Sequence, residues 1–276
     1  MLPGALVFTN AKDCRLRVIG LPGGVERPLA RFLGTCELWA APVGQRVAYG
    51  LGPSSADGFV PFKLADLALP LRELGGYRAL FGVVLWSQDG QHVAWCGRRR
   101  VGFDLEIGGP ARRLPTCPAA YTRDGGIAYA IGNKLLVEGQ VVHRASGGIT
   151  YVHYGTDGSL ALVIDGSTIE RWQGGELDGE LPIPEGLQGR TPVLSPDNCG
   201  AAFPPLDDSE VIELLDVGCL PTGENLSYAG HDATWSPDGR WLAVAEPRNI
   251  AFHRVGAPAR TIRWPAQAAE LAWRSR

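Results

Sequence analysis

The chain has 276 residues and a formal net charge of −3, so it lacks the global positive field that drives non-specific binding to nucleic acid or anionic membranes. Hydrophobic residues make up 45% of the sequence, and 37 Gly and 21 Pro accompany them. This composition provides a core and many turns, and it favours short strands over helices. No apolar run approaches the ~18–20 residues that span a bilayer.

Three strands are predicted at the N-terminus, beginning at Ala5 (ALVFTN), Cys14 (CRLRVIGL) and Val25 (VERPLAR). The following segments share one plan. An apolar or aromatic stretch leads into a Pro/Asp/Gly turn, in which Gly supplies the positive φ of a tight hairpin. A nearly continuous apolar strand follows the turn. For example, the turn WSQDG at Trp86 is followed by the strand HVAWC at His92. Such a strand is expected to be buried on both faces, with two more polar strands outside it.

The plan recurs along the whole chain. Its anchor positions are Trp39, Trp86, Tyr121, Tyr154, Leu194, Trp235 and Trp273. Their spacing is close to the ~40–45 residues of a four-stranded propeller blade. The last anchor, in LAWRSR from Leu271, lacks a turn and further strands, and the N-terminal strands supply what is missing. We therefore expect 271–273 to pair with 5–8 in one composite blade, which removes two sheet edges.

The predicted fold class is all-β: a single β-propeller domain over residues 1–276 with about seven four-stranded blades, six being the alternative count. The expected blades are, in order, 268–276 with 1–33, 34–76, 82–116, 117–147, 148–184, 190–224 and 230–265.

The motif W-S-P-D-G at Trp235–Gly239, nearly repeated at Trp86–Gly90, resembles the TolB/PD40 (WD40-like) propeller repeat. The resemblance implies a periplasmic or secreted interaction module, or a substrate gate in front of a serine-peptidase domain. The second role needs a hydrolase domain, but the blades use every residue and no G-x-S-x-G motif occurs. The chain departs from the family in two ways: TolB is six-bladed, and no repeat here ends in the Trp-Asp of WD40 proteins.

The six cysteines, taken in order, form three pairs with similar spacing: Cys14 with Cys36, Cys96 with Cys117, and Cys199 with Cys219. The blade topology allows all three pairings, so we expect disulfides and an oxidising, extracytoplasmic compartment. Six buried thiols in a cytosolic protein are the alternative. The N-terminus has no signal-peptide pattern, which an anchor or signal removed from a longer protein would explain.

Catalysis is not expected. The first strand of each repeat is mainly apolar, so no group of carboxylates converges on the axis. The Asp residues of the repeats lie in turns, where they cap backbone N–H groups more often than they bind metal. Neither a metal-ligand motif nor a cofactor motif is present. A hydrolase or lyase acting on a small or carbohydrate substrate in the central channel is the first alternative, and a cytosolic WD40-type scaffold is the second.

For a binding role, the informative loops are those on one rim, because loops on a rigid scaffold often carry function. They include the long loop Gly50–Phe59, the turn Arg98–Arg100 and the Pro-stiffened acidic turn after Pro204. Arginine suits bidentate recognition of carboxylates, although a simply solvated turn is the alternative. The sequence predicts a non-catalytic propeller that docks a protein or peptide partner there, with no nucleic-acid partner and no membrane insertion by this chain. The predicted docking residues are Asp57, Phe59, Arg98, Arg99, Arg100, Asp207, Asp208 and Arg248.

Overall fold

The computed structural model describes residue 2 and residues 4–21, 24, 26–30, 36–51, 58–67, 72–80, 84–205, 211–220, 225–255 and 260–274. These residues are almost entirely β-strands and turns. Two short 3-10 helices occur among them, at Arg98–Arg100 and Glu185–Leu187. In this described part of the chain no helix has the length and apolar character needed to cross a membrane.

The first strands in chain order are β1 (Ala5–Asn10), β2 (Leu16–Gly20), β3 (Glu26–Ala30), β4 (Leu38–Ala40), β5 (Arg46–Gly50), β6 (Phe59–Asp66), β7 (Arg72–Leu80), β8 (Val84–Trp86), β9 (His92–Cys96), β10 (Gly102–Glu106) and β11 (Ala111–Leu114). They are followed by β12 (Ala120–Tyr121), β13 (Ile127–Ile131), β14 (Lys134–Val137), β15 (Gln140–Arg144), β16 (Ile149–Tyr154), β17 (Leu160–Ile164), β18 (Thr168–Gln173) and β19 (Glu176–Pro182). The remaining strands are β20 (Val193–Leu194), β21 (Gly200–Phe203), β22 (Val211–Asp216), β23 (Leu226–Ala229), β24 (Ala233–Trp235), β25 (Trp241–Ala245), β26 (Ile250–Arg254), β27 (Thr261–Trp264) and β28 (Ala268–Arg274).

The strands of the described residues form seven four-stranded antiparallel sheets, the blades of a β-propeller, as the sequence predicted. Two compact units contain them. The first unit, Met1–Pro118 with Pro265–Arg276, holds blade 1 (β28-β1-β2-β3), blade 2 (β4–β7) and blade 3 (β8–β11). The second unit, Ala119–Trp264, holds blades 4 to 7, built in sequence order from β12–β15, β16–β19, β20–β23 and β24–β27.

Blade 1 combines both ends of the chain. Strand β1 pairs with β2 on one side and with β28 on the other, in the register Phe8↔Leu271, Val7↔Ala272 and Leu6↔Trp273. The predicted composite blade is confirmed. Two apolar strands thereby lose an edge that would otherwise expose unpaired backbone groups.

Burial explains why the second strand of blade 7 is apolar along its whole length. In β25 all five residues Trp241–Ala245 are buried, so both faces pack against protein. The expectation that the two outer strands are mainly polar was too simple. Phe62 and Leu64 of β6 are fully buried, because the third strand of blade 2 packs its face against blade 3 within the first unit.

Three disulfides join the predicted cysteine pairs: Cys14–Cys36, Cys96–Cys117 and Cys199–Cys219. Each bridge ties a turn or strand end to a segment about 20 residues away. The conventional loop-entropy model assigns about 3 kcal/mol to a closed loop of this size. The bridges therefore hold turns and strand ends in place, in addition to the hydrogen bonds between strands.

Candidate functional site

The predicted docking residues fall into three groups. Phe59 begins β6, and Arg98–Arg100 form the turn between β9 and β10, so both lie in the first unit. Arg248 is exposed in the turn between β25 and β26 of the second unit. The remaining three, Asp57, Asp207 and Asp208, lie outside the described residues.

Arg98–Arg100, hereafter the arginine turn, has an unusual backbone. It is a single 3-10 turn in which Val101 N–H donates to the carbonyl of Arg98 at 3.3 Å. Arg99 has φ 58° and Arg100 has φ 56°, both in the left-handed region. Bulky L-residues occupy that region at a cost of about 1–2 kcal/mol each. Glycine or asparagine would form such a turn more easily, so two consecutive arginines there require another explanation.

The base of the arginine turn is held firmly. Cys96, the last residue of β9, is bridged to Cys117, and Gly97 N–H donates to the Val101 carbonyl at 2.7 Å. Gly97 also lies directly against an aromatic ring. A Cβ atom at this position would stand 2.5 Å from Cε2 of Phe103. The turn is thus anchored at both ends, and its glycine allows the Phe103 ring to lie underneath.

Aromatic side chains from blades 2 and 3 pack together beside the arginine turn. The Tyr77 ring of β7 lies 4.8 Å from that of Trp95, and Phe103 stacks on Trp95 with centroids 5.4 Å apart and planes 17° apart. Phe62 completes the group with its centroid 5.6 Å from Trp95, at a 77° angle. Trp95 is only 4% exposed, whereas Tyr77 and Phe103 are half-buried. The core of the first unit therefore reaches the surface as an aromatic wall.

A pocket of about 410 Å³ opens at this wall, hereafter the aromatic pocket. The guanidinium carbon of Arg98 lies 5.6 Å from the centroid of the Phe59 ring, within cation–π distance. The structure thus brings together the predicted residues Phe59 and Arg98. The lining residues of the pocket are Phe59, Tyr77, Arg78, Trp95, Gly97, Arg98, Phe103 and Ala111.

Arginine side chains form part of the pocket lining. The lining contains two arginines, Arg78 and Arg98, and no acidic side chain, within the part of the chain that the structure describes. The nearby carboxylate of Asp104 is buried and accepts a 2.9 Å hydrogen bond from Arg112, so its charge is compensated. Arg99 and Arg100 are exposed. We expect a positive potential in front of an apolar cavity.

A second polar cluster lies in the second unit, where residues of blades 5 and 6 form a chain of hydrogen bonds. His153 Nδ1 and Asn198 Oδ1 are 2.6 Å apart, and Asn198 Nδ2 donates to Ser159 Oγ at 2.8 Å. Ser159 Oγ in turn donates to Asp157 Oδ1 at 2.6 Å, and Asp157 pairs with Arg171 at 3.1 Å. Burial lowers the pKa of His153 and so favours the neutral form of its ring, opposed by Asn198 and Asp157.

This cluster lacks the Ser–His hydrogen bond of a catalytic triad. The Ser159 hydroxyl donates to Asp157, and His153 contacts Asn198 instead of that hydroxyl. The turn aspartates cap backbone N–H groups, as expected: Asp89 accepts from Gln91 N–H at 2.9 Å and Asp238 from Arg240 N–H at 3.2 Å. Among the described residues, no group of three or more His, Cys, Asp or Glu side chains is placed to hold a metal ion.

The sequence predicts Phe59 and Arg98 as docking residues, but it does not single out the other six lining residues, Tyr77, Arg78, Trp95, Gly97, Phe103 and Ala111. Trp95 occurs in an apolar strand, a pattern that indicates only the core. Tyr77 and Phe103 belong to outer strands of different blades, and nothing in the sequence shows that both rings lie against Trp95. Aromatic residues in strands expected to be polar were the one available signal.

No protein-family model matches the chain, and no curated protein matches its sequence. Solved structures of similar fold include a proposed 6-phosphogluconolactonase from Bacteroides fragilis, with 13% identity, a TM-score of 0.62 and 97% coverage of both chains. They also include a chain of a mitotic checkpoint complex, with 14% identity, a TM-score of 0.59 and coverage of 91% of this chain and 87% of that one. TolB from Acinetobacter baumannii shares 14% identity with a TM-score of 0.53, covering 99% of this chain and 67% of TolB. At such identities these similarities establish the propeller fold alone.

Proposed function

We propose that this chain is a non-catalytic binding protein that docks a protein or peptide partner at the arginine turn and the aromatic pocket. One observation carries the proposal: two exposed arginines hold left-handed backbone conformations directly beside an open aromatic cavity. Strained residues persist where the surrounding structure fixes them, and they cluster at functional sites. A turn that only connects two strands would gain stability from glycine at these positions.

The chemistry of the site suits macromolecular recognition. Interface residues that contribute most to binding energy are enriched in Trp, Tyr and Arg that lie around well-packed pockets. Arg98, Tyr77 and Trp95 supply all three residue types within one pocket. Arginines at a pocket mouth also accelerate encounter with an acidic surface. A partner with acidic character is therefore the proposed occupant of the arginine turn.

The proposed compartment is extracytoplasmic. All six cysteines of the chain are paired in disulfides, a pattern typical of oxidising environments. Intact-mass measurement of protein from its native host, before and after reduction, tests the compartment. Reduction of three bridges to six thiols should increase the mass by six hydrogen atoms. An unchanged mass would mean that the thiols are reduced in the cell.

The enzyme alternative has a direct test. The solved structures of similar fold include proposed 6-phosphogluconolactonases as well as TolB. Their sequence identity to this chain is equally low. The hydrogen-bond chain around Ser159 supports the non-catalytic assignment, because the hydroxyl does not contact His153, as the serine of a Ser–His–Asp triad would. Hydrolysis of 6-phosphogluconolactone by the purified protein at an enzymatic rate would contradict the proposal.

The docking proposal is tested by a pull-down from the native host with the triple variant Arg98→Ala/Arg99→Ala/Arg100→Ala. We expect this variant to fold within about 1 kcal/mol of wild type, as surface substitutions do. Partner capture is expected to fall strongly, and capture by wild type is expected to weaken as salt is raised, because salt screens exposed charges.

The matched control removes the same charge from three exposed arginines of the second unit: Arg123→Ala/Arg144→Ala/Arg240→Ala. The control is expected to capture the partner as wild type does. Equal recovery of one partner by wild type, triple variant and control would rule out the arginine turn as the docking site.

A further inference from the structure

We infer that the aromatic pocket seats one aromatic side chain of an acidic peptide segment, with a neighbouring carboxylate of that segment held by Arg78 and Arg98. The inference rests on the proposed docking function and names its occupant. Its evidence is the size of the pocket, the chemistry of its walls and the charge at its mouth.

The size of the pocket limits what it holds. Its volume of about 410 Å³ is at the low end of the ~300–1,000 Å³ range of ligand sites. A cavity of this size holds one large side chain and leaves most of a partner outside. The rest of the segment must then lie across the mouth, where the arginines are.

The walls favour a flat ring over an aliphatic chain. Trp95 and Phe103 stack on each other, while Tyr77 meets Trp95 at 46°, so the lining consists of aromatic rings held at different angles. Aromatic rings bind such surfaces in stacked or edge-to-face contacts more strongly than their buried area alone would give. Ala111 is exposed and adds only a methyl group to the lining.

The charge at the mouth determines which residues flank the ring. Arg78 of β7 and Arg98 come from different blades, and both line the cavity. Both are exposed, so they reach solvent beside the apolar walls. Guanidinium groups bind carboxylates through paired hydrogen bonds, whereas lysine or arginine in the ligand would be repelled. An aspartate or glutamate next to the aromatic residue satisfies both requirements.

The scaffold holds these groups before any partner arrives. The Cys96–Cys117 bridge fixes the residue before Gly97, and the pocket walls stand on paired strands. Pre-ordered walls lower the entropy cost of binding, so a short peptide can bind without reorganising the protein.

The experiment uses the full chain, immobilised, to select from a random peptide library displayed on phage. Two variants probe the pocket. Ala111→Trp fills the cavity from an exposed position without removing a core side chain, and Arg78→Glu/Arg98→Glu reverses the charge at the mouth. Val142→Trp and Arg123→Glu/Arg144→Glu are the matched controls in the second unit.

Wild type is expected to enrich peptides with an aromatic residue beside Asp or Glu. Binding of these peptides is expected to fall about 10-fold or more in both pocket variants, as for loss of a strong interface contact, and to stay unchanged in both controls. Three results would overturn the inference: no enrichment by wild type, enriched peptides without an aromatic or an acidic residue, or full binding by Ala111→Trp.

The failure of this inference is distinguishable from failure of the docking proposal. If the native partner is lost by the triple alanine variant of the arginine turn but retained by Ala111→Trp, docking at the turn stands and the pocket assignment is wrong. If neither variant affects capture of the native partner, both are wrong.

Discussion

Phe8 and Leu271 are direct partners across an antiparallel ladder, although they belong to the first and last strands of the chain. Both side chains are buried, at 0% and 6% exposure. Strand β1 is consequently not a terminal segment in structural terms. It is an inner strand of blade 1, and its residues Ala5–Thr9 are buried throughout.

A chain that begins at Cys14 is therefore expected not to fold cooperatively. The truncation removes three large buried side chains, Leu6, Val7 and Phe8, and leaves β2 and β28 without a partner between them. Each such side chain contributes about 1.5–3 kcal/mol, so the loss is comparable with the ~5–15 kcal/mol total stability of a typical domain. Circular dichroism on heating should show no sharp transition. Lys12→Ala, at an exposed turn position, is the control and should melt like wild type.

Most of the fold could be predicted from the sequence, because each blade repeats one local pattern. The turn in WSPDG and the continuous apolar run WLAVA depend only on neighbouring residues. The composite blade followed by counting strands at the two ends. The cysteine pairs followed from their similar spacing on that topology.

The site could be predicted only in part, because it depends on contacts between blades. The sequence shows that Arg98 lies in a turn and that Phe59 follows a long loop. It does not show that β7 and β10 place Tyr77 and Phe103 against the same tryptophan. Nor does it show the left-handed backbone of Arg99, since local preference would assign glycine to such a position.

The backbone of the arginine turn makes a prediction about stability. Arg99→Gly and Arg100→Gly are each expected to raise the free energy of unfolding by up to about 1 kcal/mol, because glycine adopts positive φ without steric cost. Partner capture should fall in the same proteins. A variant that is more stable but binds less well would indicate that the arginines are retained for function. Urea titration measures the stability change.

Arg98→Gly is the matched control for this experiment, because Arg98 lies in the same turn without a positive φ. Its glycine variant should be destabilised by about 0.5–1 kcal/mol, since glycine has more freedom to lose on folding. If all three glycine variants shifted stability in the same direction, the strain assigned to Arg99 and Arg100 would be wrong.

A half-buried histidine predicts how stability depends on pH. Burial lowers the pKa of His253 to about 4, opposed by Glu246 and assisted by Arg263. The centroid of its ring lies 4.1 Å from that of Tyr228. Its Nδ1 is hydrogen-bonded to Oγ1 of Thr261 at 3.2 Å. Between its usual value of 6.5 and about 4, the unfolded chain binds a proton that the folded chain excludes. Stability should therefore decrease as pH falls through this window, and it should be independent of this group above it.

The variant His253→Phe tests this assignment, because phenylalanine keeps a ring against Tyr228 but cannot take a proton. The urea midpoint of wild type should fall between pH 7 and pH 5, and that of the variant should fall less. Burial also lowers the pKa of His143 and His153, so part of the pH dependence should remain. An identical pH dependence in variant and wild type would show that His253 does not contribute.

The close contact at Gly97 makes the most specific prediction about the pocket. In Gly97→Ala the new Cβ would stand 2.5 Å from Phe103 Cε2, so the ring must turn away from its stacked position on Trp95. Overpacking of this kind costs about 1–3 kcal/mol, which should leave the protein folded but less stable. Because the displaced ring lines the pocket, binding of the selected acidic aromatic peptides should fall as well. Gly186→Ala is the control, since a Cβ there meets nothing within 4 Å, and its stability should change by less than about 0.5 kcal/mol. Full peptide binding by a destabilised Gly97→Ala protein would show that the Phe103 ring takes no part in recognition.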